Sequence, residues 1–222
     1  MTKKCRFALH QTNYFILTKN TSSITELPIV ETFYTVQGEG FYSGRAAFFI
    51  RVAGCDVGCV WCDVKESWDK NEHEILQVSE LVNQVKESNT DFVVITGGEP
   101  AMYDLNYLTN ELHKLEVEIA VETSGAYPLR GEYDWICLSP KKFKKPVDSV
   151  IEKAHELKIV VFNKSDLDWA ESHAKQVPKD CKLFLQAEWA KKEKMYELIL
   201  DYITHNTQWR ISVQTHKYLG VL

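Results

Sequence analysis

Residues 54–64 read GCDVGCVWCDV and place Cys55, Cys59 and Cys62 in a C-x3-C-x2-C spacing. Three thiols on one short loop are soft ligands, suited to zinc or to iron–sulfur chemistry. Structural zinc normally takes a fourth protein ligand, and the nearest candidate, His73, lies eleven residues on in a polar stretch. A three-ligand catalytic zinc site usually includes histidine, which the loop lacks. A 4Fe-4S cluster fits the count: three cysteines hold three irons and leave the fourth open to a substrate or cofactor. Ligand softness and number therefore favour the cluster, with zinc as the alternative. Cys5, Cys137 and Cys181 share no spacing. The last two sit in or beside apolar runs and read as core residues, and Cys5 as an incidental thiol on a tail.

Other residues invite a ligand. Arg51 stands in the apolar run AAFFIRV, where an unpaired charge is costly, so its partner is either a substrate carboxylate or a structural carboxylate. The glycines of QGEG (37–40) and GGEP (97–100) permit close backbone approach to a flat or charged ligand, or simply a tight turn. Lys141, Lys142, Lys144 and Lys145 form a local basic cluster that reads mostly as a solvated loop.

The elements that must position these residues alternate β-rich runs with helical patterns from residue 46 onward, the signature of parallel strands joined by crossovers. Strands are expected at 46–52, 92–96, 117–123, 135–139, 158–163, 182–187 and 209–214. Helices are expected around Val78–Val85, from Asp104 as N-cap through Leu115, from Val147 through Leu157, and over 166–177 and 191–205. Only about a dozen residues join the third and fourth strands, too few for a full helix. Six or seven mostly parallel strands with few strong helices imply an α/β fold, a partial, open α/β barrel. Ligands in such sheets sit beyond the carboxyl ends of the strands, where the cysteine loop, GGEP, Ser124 and Lys141 all fall.

The cysteine spacing, with Trp61 before the third cysteine and GGEP after a later strand, resembles the radical S-adenosylmethionine superfamily. VQGEG, FIRVAGC, CVWCD, VVITGGEP, VETSG, LSPK and QTHKYLG occur in this order over residues 29–222 and resemble the 7-carboxy-7-deazaguanine synthase family. The resemblance implies a radical SAM core. It also implies ring contraction of 6-carboxy-5,6,7,8-tetrahydropterin to 7-carboxy-7-deazaguanine with release of ammonia, in 7-deazapurine (queuosine) biosynthesis.

Under this resemblance Cys55, Cys59 and Cys62 hold the cluster. Trp61, Cys62, Asp63, Gly98, Glu99, Ser124, Ser139, Pro140 and Lys141 would hold S-adenosylmethionine, together with Gln186, Ala187, Glu188 and Trp189, a loop that departs from the family's pattern after its Gln. Val36, Gln37, Gly38, Arg51, Thr96, His216 and the terminal Leu222 would touch substrate. Many relatives bind magnesium through a threonine at the position of Val64, whose side chain has no oxygen. Residues 1–27 lie outside the resemblance and read as a flexible extension to a single domain at 28–222. A flavodoxin- or ferredoxin-type electron donor and a homodimer are further implications. Two alternatives are a glycyl-radical activase of the same superfamily and a non-catalytic zinc or iron–sulfur electron-transfer module.

Composition bounds the rest. A formal net charge of −5 argues against a nucleic-acid backbone as the main ligand. No apolar run approaches the roughly 20 residues that span a bilayer, and the first residues form no secretory signal. Cysteines concentrated in one loop, without an export signal, imply a reducing, cytoplasmic compartment.

Overall fold

The structure, a computed structural model, describes residues 24–221; Cys5 and Leu222 lie outside them. Its frame is one nine-stranded sheet. The strands are β1 (Glu26–Val36), β2 (Ala46–Val52), β3 (Glu74–Gln77), β4 (Phe92–Gly97), β5 (Glu118–Thr123), β6 (Trp135–Leu138), β7 (Glu156–Val161), β8 (Lys182–Ala187) and β9 (Trp209–Ser212). Their order is β3-β1-β2-β4-β5-β6-β7-β8-β9. From β2 to β9 every pairing is parallel, whereas β1 runs antiparallel to both β2 and β3. The sheet has two free ends, so the barrel is open.

Among the described residues six α-helices accompany it: α1 (Val78–Ser88), α2 (Asn106–His113), α3 (Asp148–Ile151), α4 (Ser165–Ala174), α5 (Lys192–His205) and α6 (Thr215–Leu219). The parallel strands are apolar on both faces, because helices cover one face and the other lines the inside of the open barrel. In β4, Val93 and Ile95 pack with Leu81, Leu108 and Leu112 of the helices, while Phe92 and Val94 face Phe49 and Ala120. Side chains alternate along a strand, so Arg51 shares the inner face with Phe49, and Ile50 and Val52 the helix face.

Four expectations change. Seven parallel strands match the upper count expected, and the antiparallel pair β1 and β3 adds two more. Strand β1 takes in Glu26 and Leu27, with Leu27 fully buried, so ordered structure begins before residue 28. The helix expected from Val147 to Leu157 is a single turn, α3, and Leu157 belongs to β7. Asp104 is one residue too early to be the N-cap of α2, although its carboxylate does accept from the Asn106 N–H at 3.1 Å. No helix of the described residues is long and apolar enough to cross a membrane.

Candidate active site

The inner face of the sheet turns polar toward the carboxyl ends of the strands. Arg51 on β2, Thr96 on β4, Glu122 on β5, Lys158 on β7 and Gln186 on β8 all line a cavity of about 520 Å³. The cysteine loop following β2 forms part of its wall, with Cys55, Cys59 and Cys62 in the lining, all free thiols. Among the described residues no three His, Cys, Asp or Glu side chains gather closely enough to hold one ion. The three cysteines pack around Val57 and Ala126 in one small cluster, and three thiolates suit a polynuclear centre in which each of three irons takes one. His73, the possible fourth zinc ligand, points its Nε2 at the Glu66 carbonyl, 2.7 Å away. Burial pushes the Cys55 and Cys59 thiols up, so a metal must displace their protons to bind.

The GGEP turn locks onto this loop. Gly98 N–H donates to the Val52 carbonyl and Glu99 N–H to the Gly54 carbonyl, at 2.8 and 2.9 Å. A Cβ on Gly97, whose φ is 134°, would lie 2.1 Å from the Val52 oxygen, and one on Gly98 would lie 2.3 Å from the Gly54 oxygen. Both glycines are therefore required by backbone crossing backbone. Glu99, 1% exposed, accepts from Ala101 N–H at 3.0 Å, Thr123 Oγ1 at 2.5 Å, Ser124 N–H at 2.8 Å and the Ser124 hydroxyl. Four donors converge on it, so this carboxylate ties the turn to the end of β5 where both line the cavity.

Arg51 resolves both ways. Its Nε donates to Glu31 Oε1 at 2.8 Å, the structural pair foreseen as an alternative. Its terminal nitrogens have no hydrogen-bond partner among the described residues and belong to a side chain lining the cavity, so a fork remains for a carboxylate ligand.

The cavity also holds a polar network that sequence reading missed. Lys158, 3% exposed, donates to Glu39 Oε2 at 2.5 Å and sits 3.5 Å from Glu122 Oε2. Gln37 Nε2 donates to Glu122 at 3.0 Å, and Gln214 Nε2 to Glu39 at 2.8 Å. Burial alone would raise the Glu39 carboxyl, but the Lys158 charge and these hydrogen bonds bring it down to about 2. Burial works against the Lys158 ammonium too, and Glu122 and Glu39 hold it well above the ordinary lysine range. Two carboxylates and one ammonium leave this wall with an excess negative charge. Glu39 and Glu122 stand in the QGEG and VETSG blocks, but a single lysine in an apolar strand gives no sign that its partner lies 119 residues away.

Nearly all the expected ligand-binding residues converge on this cavity: Val36, Gln37, Gly38, Trp61, Asp63, Val64, Thr96, Ser124, Ser139, Lys141, Ala187, Glu188, Trp189 and His216 line it. Pro140 is buried outside the lining. Lys141 Nζ turns back onto the Ser139 carbonyl and hydroxyl, at 2.6 and 2.7 Å, and burial pulls its pKa down. His216 lies directly over Gly38, where a Cβ would sit 2.0 Å from its Nδ1. Burial lowers the His216 pKa, with Glu39 pulling the other way, so the ring is neutral at pH 7. Glu188, 8% exposed, accepts from Ala190 N–H through Oε1 at 3.1 Å while its buried Oε2 has no partner. The rest of the basic cluster is largely solvated, as expected: Lys142 and Lys145 are exposed, with Lys142 paired to buried Asp166 and Lys144 to the exposed Asp56 at 2.8 Å.

Residues 49–161 match the Radical SAM superfamily. A 7-carboxy-7-deazaguanine synthase of Flavobacterium psychrophilum is 52% identical over 88% of this chain and 92% of its own length. One from Synechocystis is 50% identical over 87% and 93%, and one from Escherichia coli K12 is 33% identical over 88% and 99%. A crystal structure of QueE from Escherichia coli superposes with a TM-score of 0.77 at 29% identity, covering 85% of this chain and 93% of that one. With its cysteine loop, GGEP turn and open parallel sheet, the chain belongs to the Radical SAM superfamily and, within it, to the 7-carboxy-7-deazaguanine synthase family.

Proposed function

We propose that the protein contracts the ring of 6-carboxy-5,6,7,8-tetrahydropterin to 7-carboxy-7-deazaguanine with release of ammonia, a reading supported by relatives named for that product. Substrate and products balance without an external oxidant, as suits chemistry that begins and ends with one hydrogen atom. The observation that carries the reading is the single cavity joining three free cysteines to Arg51, a cation with an open fork.

Cys55, Cys59 and Cys62 would hold the 4Fe-4S cluster. When bound, the cluster supplies the electron that splits S-adenosylmethionine to the 5′-deoxyadenosyl radical, the hydrogen-abstracting species. The chain's own residues do the positioning. Arg51 binds the substrate carboxylate, and Glu31 fixes the plane of its guanidinium. The carboxylates on the Lys158 wall accept from the amino and ring N–H donors of a pterin, which a net negative wall favours. Neutral His216 offers a hydrogen bond without adding charge. Thr96, paired in register with Arg51, adds a hydroxyl on the same side. Ser124, Ser139, Lys141 and the 186–189 loop line the part assigned to S-adenosylmethionine.

An electron donor of flavodoxin or ferredoxin type fits the cysteine loop, where Val60 is 65% exposed between two of the ligands. A cytoplasmic setting is in keeping with the free thiols, and a homodimer with the family resemblance.

Anaerobically reconstituted protein, given S-adenosylmethionine, a reductant and the carboxypterin, is expected to form the deazaguanine. Cleavage of S-adenosylmethionine without this product would reject the substrate. Cys59→Ala is expected to lose cluster absorbance and all reductive cleavage; a fully active variant would remove Cys59 from the ligand set.

A further inference from the structure

The family resemblance implies a magnesium ion at the position of Val64, and the surroundings of this residue do not fit one. The valine lines the cavity but brings only carbon there. Its carbonyl oxygen accepts both the Ser67 hydroxyl at 2.7 Å and the Ser67 N–H at 3.1 Å, which uses both lone pairs. The neighbouring carboxylate, Asp63, is paired with Lys217 Nζ at 2.8 Å, across 154 residues of sequence. Lys217 itself is held in place, 5.0 Å from the Trp189 ring and with only 20% of its side chain exposed. Magnesium requires hard oxygen ligands in near-octahedral array. Here the side-chain oxygen is missing, the backbone oxygen is taken, and the nearest carboxylate is already neutralised by a cation that would repel a second one. Elsewhere in the cavity Glu99 is saturated, Glu39 and Glu122 share the single Lys158 ammonium, and the unpartnered Glu188 Oε2 belongs to the 186–189 loop assigned to S-adenosylmethionine.

We infer that this chain binds its carboxylate substrate without a divalent cation, the carboxylate being held by the open Arg51 fork and the Asp63 charge being balanced by Lys217. The inference rests on the carboxypterin reading of the cavity and adds to it that the positive charges are all side chains. An ammonium and a guanidinium have fixed places in the fold, whereas a magnesium ion would have to arrive with each substrate.

The test measures substrate binding rather than turnover. The cluster-loaded protein with S-adenosylmethionine is stripped by chelation and titrated with the carboxypterin, following the quenching of Trp61, Trp68 and Trp189, which line the cavity. The dissociation constant is expected to change less than about twofold when millimolar magnesium is restored. In parallel, Mn2+ is added as a paramagnetic probe to the same ternary complex, and no stoichiometric binding is expected. Weakening of tenfold or more on chelation, reversed by magnesium, would overturn the inference, as would one tightly bound Mn2+ per chain. Absence of substrate binding in both conditions would reject the substrate reading and the inference together. A doubly substituted protein, Val64→Thr with Lys217→Met, restores the oxygen and frees Asp63. It is expected to gain a magnesium-dependent affinity of about fivefold or more, with cluster content as the control for folding; failure to gain it with the cluster intact would also count against the inference.

Discussion

Glu188 carries the clearest unused valence in the site. Its Oε1 caps the turn that begins at Trp189, while its Oε2 is buried without a donor. A buried carboxylate oxygen left alone costs free energy, so a ligand that brings a hydroxyl or amino donor recovers it. Glu188→Gln keeps the cap and turns the orphan acceptor into a donor. S-adenosylmethionine affinity is expected to fall roughly tenfold, since a hydrogen bond to a charged group is worth about 1.5–3 kcal/mol. Isothermal titration of the cluster-loaded variant would measure it, and unchanged affinity would assign the orphan to another ligand. Sequence reading placed Glu188 at the cofactor by its position in the loop but offered no reason, because its solitude appears only once β8 and the turn are folded. Glu99 shows the reverse. Its motif was legible, yet its role is to tie GGEP to Thr123 and Ser124, which sequence spacing does not reveal.

At the scale of elements, the parallel strands announced themselves, because a strand buried on both faces is a continuous apolar run. Strand β1 did not: it is buried at one end and half-exposed along the rest, carries Pro28, and has an irregular register between Ile29 and Glu31. The false length of α3 has a simple source. Val150, Ile151, Ala154 and Leu157 satisfy a helical period, but the chain leaves the helix after Ile151 and still buries Ala154 and Leu157. Strand β7 then begins with Glu156, whose Oε2 accepts the Phe41 N–H at 3.2 Å and Trp135 Nε1 at 3.1 Å, seating the 38–45 loop on the sheet. Burial raises the Glu156 carboxyl, so the protonated form is favoured in the fold and its contribution to stability declines as pH rises through the folded value. Glu156→Gln retains an acceptor without the charge and is expected to hold or raise the melting temperature at pH 8. Glu156→Ala strands two donors and is expected to cost about 1–3 kcal/mol in denaturant unfolding.

Over the whole molecule, the site depends on charges that belong to distant parts of the chain. Glu39 comes from the loop after β1, Lys158 from β7 and Gln214 from the N-cap of α6. The Glu39 carboxyl falls from 4.5 to about 2 in the fold. A depressed carboxyl stabilises the native state above its unfolded pKa and loses that contribution as pH falls toward the folded one. Acid unfolding is therefore expected to steepen between pH 4.5 and 2, and Glu39→Gln to flatten this segment of the stability curve, as circular dichroism at stepped pH would record. An unchanged slope would separate Glu39 from acid stability.

Helix α6 has a consequence for how such an enzyme is made. Thr215 N–H reaches back to the Gly38 carbonyl at 2.9 Å, and His216 covers Gly38 itself. On a ribosome the cysteine loop emerges some 150 residues before this helix, so the thiols pass through synthesis in a vessel without its final wall. The wall of the cavity beside Gly38 is thus completed by residues made long after the thiols it encloses, and the site is whole only when both have folded together.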